Sequence, residues 1–257
     1  MNISQQWIAV TTLWRKETTR YLRIWPQTIL PSAITMTLYF FIFGSVIGTQ
    51  LGMTEGVPYM TYIMPGLIMM AVITSSYANV VGSFFGARFN RSIEELFVSP
   101  IPSVLIVVGF LGGGVGRGII VGLFVSLLGF CFSGFEVQHV ALTLFVFLLC
   151  SVLFSLAGLI NGIFARKFDD TSIVTTFILT PLIYLGGVFY PISALPPFWR
   201  MLSQLNPLQY LISVFRYAML GIDSGNFKIA LWVLIVLTLA LFGLAWRLIE
   251  KGVGIKS

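Results

Sequence analysis

Charge is what this sequence has least of. Only 9% of its 257 residues are Asp, Glu, Lys or Arg, where a soluble globular domain carries about a quarter. Nothing here could keep a core of this size dissolved in water. Acidic residues number nine, and none lies in a candidate span, so proton-coupled carriage loses its usual intramembrane carboxylates. The single histidine, His139, cannot build a His-based metal centre. Cys131 and Cys150 both sit in apolar runs and read as small buried hydrophobes, not as a disulfide framework or a zinc site. No nucleophile–base pair appears, and the glycine cluster 109–118 lacks the Lys-Ser/Thr pair that a phosphate-binding loop needs. A catalytic centre, a metal site and a nucleotide site of the chain's own are therefore not expected.

What is present is apolar. Stretches without an ionised residue run over 24–54, 56–87, 118–135, 137–165, 171–199 and 229–246. A helix needs about 20 apolar residues to cross a hydrocarbon core of about 30 Å. The pattern predicts an all-α polytopic membrane protein with six spans, near 27–47, 58–86, 102–132, 141–164, 172–190 and 229–249. It forms one membrane domain over 1–257, with an interfacial helix in 1–26 and a tail at 250–257. In 6–25, Trp7, Val10, Trp14, Tyr21 and Trp25 recur at helical steps, while Thr12, Arg15, Lys16, Thr19, Arg20 and Arg23 fill the other face. That is an amphipathic helix suited to the headgroup plane. No short apolar run followed by a small-residue cleavage site precedes the spans, so no removable signal peptide is expected.

Basic residues set the orientation, because they are retained on the cytoplasmic side. The N-terminal helix holds four, the 88–91 loop two, Arg166 and Lys167 two, and the tail three, at Arg247, Lys251 and Lys256. The opposite side has only Arg200, Arg216 and Lys228. Both termini are thus expected in the cytoplasm. The net charge of +6 reads as topological and not as a nucleic-acid surface.

Three segments stand out. In 190–228, prolines at 191, 196, 197 and 207 stop any one helix from running through. Two short helices, near 197–204 and 207–220, dipping into the outer leaflet fit best, and this makes the segment a candidate outer gate. Between spans two and three, Arg88, Arg91, Glu94 and Glu95 alternate with Ile93, Leu96 and Phe97 before Pro100 and Pro102 end the helix. Such a helix is either a solvated loop or a docking element that inserts its apolar knob, Ile93, Leu96 and Phe97, into a cytoplasmic partner. Arg117 is the one charge deep in a span, about 22 Å from its cytoplasmic start at 1.5 Å per residue. It either lines a pathway or bonds backbone carbonyls. The glycines around it, at 109/113, 112/116 and 114/118/122, follow small-xxx-small spacing for close helix packing.

Taken together, the chain resembles the permease subunits of bacterial ABC exporters of the second class, which move drugs, polysaccharides and lipid-linked glycans. The likeness rests on the run Arg91-x-x-Glu94-Glu95-Leu96-Phe97-Val98-Ser99-Pro100-x-Pro102. It continues through Leu179, Leu182, Leu185-Gly186, Val188, Leu195-Pro196, Pro207-Leu208-x-Tyr210 and Arg216. The resemblance implies a half-transporter in the bacterial inner membrane that forms a homodimer and pairs with a separate ATPase subunit, which binds ATP and Mg. The helix of Arg88, Arg91, Ile93, Glu94, Glu95, Leu96 and Phe97 would then couple to the ATPase. Arg117 would be a pathway candidate, and Pro196, Pro197, Trp199, Pro207, Tyr210 and Arg216 would belong to the re-entrant outer gate. An ion-gradient-driven carrier is the first rival reading, and a membrane enzyme or assembly factor is the second.

Overall fold

The computed structural model describes residues 2–134, 136–222 and 225–254. Lys256, counted above in the basic tail, lies outside the described residues. An amphipathic helix α1 (Ile3–Arg23) leads into a helical run over Trp25–Leu51. That run is built from α2 (Trp25–Thr28), α3 (Leu30–Tyr39), a π-helical stretch (Phe40–Ile47) and α4 (Gly48–Leu51). A two-residue pairing of β1 (Met53–Thr54) with β2 (Val57–Pro58), Met53 opposite Pro58, turns the chain back. Three long helices follow, α5 (Tyr59–Phe89), α7 (Ser103–Ser133) and α8 (Val140–Phe164), with the short α6 (Ser92–Val98) between the first two. Next come α9 (Phe168–Val174), a π-helical turn (Thr175–Leu179) and α10 (Thr180–Leu185). The chain closes with α11 (Pro197–Gln204), α12 (Pro207–Leu220) and α13 (Phe227–Glu250).

Among the described residues five helices are long and apolar enough to cross a membrane: 25–51, α5, α7, α8 and α13. The fifth expected span, 172–190, differs. Its helical backbone covers 168–185, eighteen residues that start with Phe168-Asp169-Asp170 and widen to a π turn before Pro181. At 1.5 Å per residue this reaches about 27 Å, at the lower limit for spanning. Pro181 supplies no N–H, and the Thr180 hydroxyl donates to the Thr175 carbonyl in the widened turn (2.9 Å).

The packing is uneven, and the unevenness is informative. In α5, 78% of the most apolar window is buried, against 17% in the 25–51 run. Helix α5 is the axis of the bundle, with α7 and α8 on its flanks. Tyr62, Leu67, Ile73 and Tyr77 join Phe147, Cys150, Leu211 and Phe215 in the larger of two cores. The smaller core lies where α5, α6, α7 and α13 meet, around Phe84, Ile93, Phe110 and Ile249. Large apolar side chains on the 25–51 run and on 168–185 stay uncovered, Phe177 at 74% exposure among them.

Candidate functional site

Helix α6 is built to be rigid against the bundle. The chain leaves α5 through Asn90 and swings at Arg91, whose φ of +58° is left-handed. The Arg91 carbonyl then accepts from the Glu94 amide (3.1 Å), which starts α6. Arg88 ties this corner down by donating from Nη1 to the carbonyl of Ile163 (2.6 Å) at the end of α8. Ile93 is only 1% exposed, inside the smaller core, and Leu96 and Phe97 pack partly against the same core. What α6 presents outward is Arg91, Glu94, Glu95 and Val98, next to an exposed Phe89. Pro100 and Pro102 then set the turn into α7, with Pro102 as its N-cap. The expected apolar knob for a partner is thus corrected: Ile93, with Leu96 and Phe97 beside it, anchors α6 in the chain's own core, and the charged side is the free one.

A second feature joins α1 to α7, and the glycines explain it. Gly109, Gly112, Gly113 and Gly116 face Leu13, Trp14, Glu17 and Tyr21 so closely that a Cβ at any of them would collide. Gly114, Gly118 and Gly122 face the opposite way, toward Ser155, Ser76 and Phe147. The glycines read from the sequence as small-xxx-small pairs therefore serve two faces of α7: 109/113 and 112/116 pack on α1, and 114/118/122 pack on α5 and α8 together. Along the first seam the two helices advance in step, 13 to 21 beside 109 to 116, so α1 lies alongside α7 and does not merely cross it. The buried face of α1 is Val10, Leu13, Glu17 and Tyr21, while Trp7 and Trp25 point outward.

Glu17 is the residue that sequence reasoning missed. It is 3% exposed, and a buried carboxylate is costly unless it is fully paired. Its Oε2 accepts from Arg20 Nη2 (2.9 Å) and its Oε1 from the Ser83 hydroxyl of α5 (2.7 Å). Arg20 also donates to Asn79 Oδ1 (2.8 Å). The signal was available: position 17 falls four after Leu13 and four before Tyr21, on the face that packs.

Arg117 sits one turn further along α7. Its Nη2 donates to the Thr28 carbonyl (3.0 Å), where α2 gives way to α3, and its Nε is buried without a partner. The guanidinium thus holds the start of the 25–51 run against α7.

On the opposite side of the bundle, the prolines mark the helices as the sequence suggested. Pro196 and Asn206 are N-caps, while Pro197 and Pro207 open α11 and α12. Asn206 accepts from the Leu208 amide (3.0 Å) and donates to the Leu182 carbonyl (2.6 Å) of α10, which docks the corner between the two short helices. Tyr210 bonds the Gln204 carbonyl (2.7 Å) across the same corner, and Trp199 is half exposed on α11. Arg216, 3% exposed, donates to the carbonyls of Tyr62 (3.3 Å) and Gly187 (2.9 Å). Its guanidinium lies 4.0 Å from the centroid of the Tyr62 ring. Gly187 has φ +78°, which only glycine adopts without strain. Arg216 therefore clamps α12, α5 and the bend after α10 at one point. Beside it a polar chamber of about 290 Å³ is lined by Glu55, Ser193, Arg200, Gln209 and Arg216.

Residues 8–220 match the ABC-2 type transporter family. The chain is 52% identical over 251 residues, 98% of each chain, to the inner membrane transport permease YadH of Escherichia coli (strain K12). It is also 24% identical over 246 residues to nodulation protein J of Sinorhizobium fredii (strain NBRC 101917 / NGR234), covering 95% of this chain and 93% of that one. Nodulation protein J of Rhizobium meliloti (strain 1021) is 24% identical over 216 residues, covering 84% and 81%.

Proposed function

Because the chain belongs to the ABC-2 type transporter family, we propose that it is the membrane-spanning subunit of an ATP-driven exporter of the bacterial inner membrane. It works as a homodimer with a separate ATPase that binds the ATP and Mg. In this reading the chain has no nucleotide site and no catalytic step of its own. Both termini and α6 face the cytoplasm, 168–185 completes a set of six spans, and α11 and α12 are a re-entrant gate on the outer side. A second copy covers the apolar faces left open on the 25–51 run and on 168–185. The cargo class that fits is amphipathic: lipid- or glycan-like molecules, or drugs.

The observation that carries this reading is the construction of α6. A helix locked to the spans by Ile93 and by Arg88 on the Ile163 carbonyl transmits a push on its charged side to the cytoplasmic ends of α5, α7 and α8. Closure of two ATPases on ATP would supply that push, and the spans would rearrange toward the outer gate. The test is reconstitution of the purified chain with ABC ATPase subunits of the same bacterium that lack spans of their own. The pair should form a stable two-plus-two complex whose ATP hydrolysis depends on the permease being present. An ion gradient that drives transport in vesicles containing this chain alone would overturn the reading.

A further inference from the structure

One basic surface takes no part in the coupling just described. Along one face of α1, Thr12, Arg15, Lys16, Thr19 and Arg23, with Arg20, line an open, shallow cleft bounded by this one helix. Arg15, Lys16 and Arg23 are exposed. Among the described residues the one ion pair is Glu17–Arg20, and its carboxylate is turned inward toward Ser83. Three positive charges therefore stand on this face without a neutralising partner. Helix lengths place this cleft at a membrane surface. Helix α7 has 31 residues, about 46 Å at 1.5 Å per residue, against a hydrocarbon core of about 30 Å. An upright α7 exceeds the hydrocarbon by about 16 Å, and in the orientation proposed above, with that excess at the cytoplasmic end, the seam at 109–116 falls at the headgroup boundary. Exposed Trp14, Leu22 and Trp25 flank the cleft, the mixture of aromatic, apolar and basic groups found at headgroup level.

We propose that this cleft is a binding site for the phosphate headgroup of an anionic phospholipid of the cytoplasmic leaflet, with the acyl chains running down beside the 25–51 helix. It rests on the orientation given above. The chemistry is that of guanidinium and ammonium donors around a phosphodiester, which Arg engages bidentately. A headgroup there fixes the corner where α1, α7 and the first span meet.

The experiment is native mass spectrometry of the purified full chain titrated with phosphatidylglycerol or phosphatidylcholine. Phosphatidylglycerol should bind at one per chain, phosphatidylcholine far more weakly, and millimolar inorganic phosphate should not displace the lipid. The triple variant Arg15→Gln, Lys16→Gln, Arg23→Gln should bind phosphatidylglycerol on the order of 100-fold more weakly. These side chains are exposed, so it should melt with the wild type. Should it not fold, Lys16→Gln and Arg23→Gln taken singly should each weaken binding by roughly fivefold. Unchanged binding in the variants, equal binding of phosphatidylcholine, or displacement by inorganic phosphate would each overturn the site. So would loss of ATPase association with lipid binding intact, which would assign the cleft to the ATPase. The orientation is read separately: an impermeant thiol reagent labelling Thr12→Cys on intact cells would refute it.

Discussion

Two buried charges, Glu17 and Arg216, hold the bundle together at opposite sides, and neither faces a buried charge of opposite sign without help from neutral groups. Glu17 shares its oxygens between Arg20 and Ser83. Breaking one partner of a fully buried pair costs about 3–5 kcal/mol, but Arg20 is about a third exposed. Glu17→Gln is therefore expected to destabilise the folded chain by about 1–3 kcal/mol, seen as a lower melting temperature in detergent. A double-mutant cycle with Ser83→Ala should show coupling above about 0.5 kcal/mol; additive effects would mean the hydroxyl is not a partner. Arg216 meets only carbonyls and a ring face. Lysine carries the charge but not the planar fork that reaches two carbonyls while stacking on Tyr62. Arg216→Lys should thus lose about 1–3 kcal/mol and loosen the bend after α10, measured as faster hydrogen exchange over 186–190. Exchange equal to wild type would remove the clamp.

At the scale of elements, the α1–α7 seam depends on the absence of side chains. A Cβ at Gly113 would meet the Cβ of Glu17 at 2.7 Å. Gly113→Val should push α1 away at a cost of roughly 1–3 kcal/mol and open the Glu17 network. Gly82→Val, on α5 where no atom lies near an added Cβ, is the matched control. Equal thermal stability of the two variants would contradict the close approach. Helices α11 and α12 were legible in the sequence because prolines 196, 197 and 207 announce helix starts chemically. The twofold use of the α7 glycines was legible only as spacing, since nothing in a glycine names its neighbour. The inner face of α1 was harder to see. Three tryptophans suggested where the apolar side lay, yet Trp7 and Trp25 face outward and a carboxylate faces in. Helix α6 shows the same limit: seven residues carry one apolar side, and periodicity cannot tell an anchor in the chain's own core from a knob for a partner.

For the whole molecule, charge-free runs and family-like motifs made the class readable, and five helices of spanning length stand where runs were expected. The run near 172–190 was less readable because hydropathy does not register a π turn, a proline and two leading aspartates. The central claim is that α6 is a lever with its apolar side fixed to the spans and its acidic side free for an ATPase. The direct measurement is charge reversal, Glu94→Lys with Glu95→Lys, in the reconstituted permease–ATPase complex. Both side chains are exposed and outside the cores, so the variant should reach the membrane and melt like the wild type. Its association with the ATPase should weaken by several kcal/mol, and permease-dependent ATP hydrolysis should be lost. A variant that co-purifies with its ATPase at wild-type yield and keeps full permease-dependent hydrolysis would contradict the account.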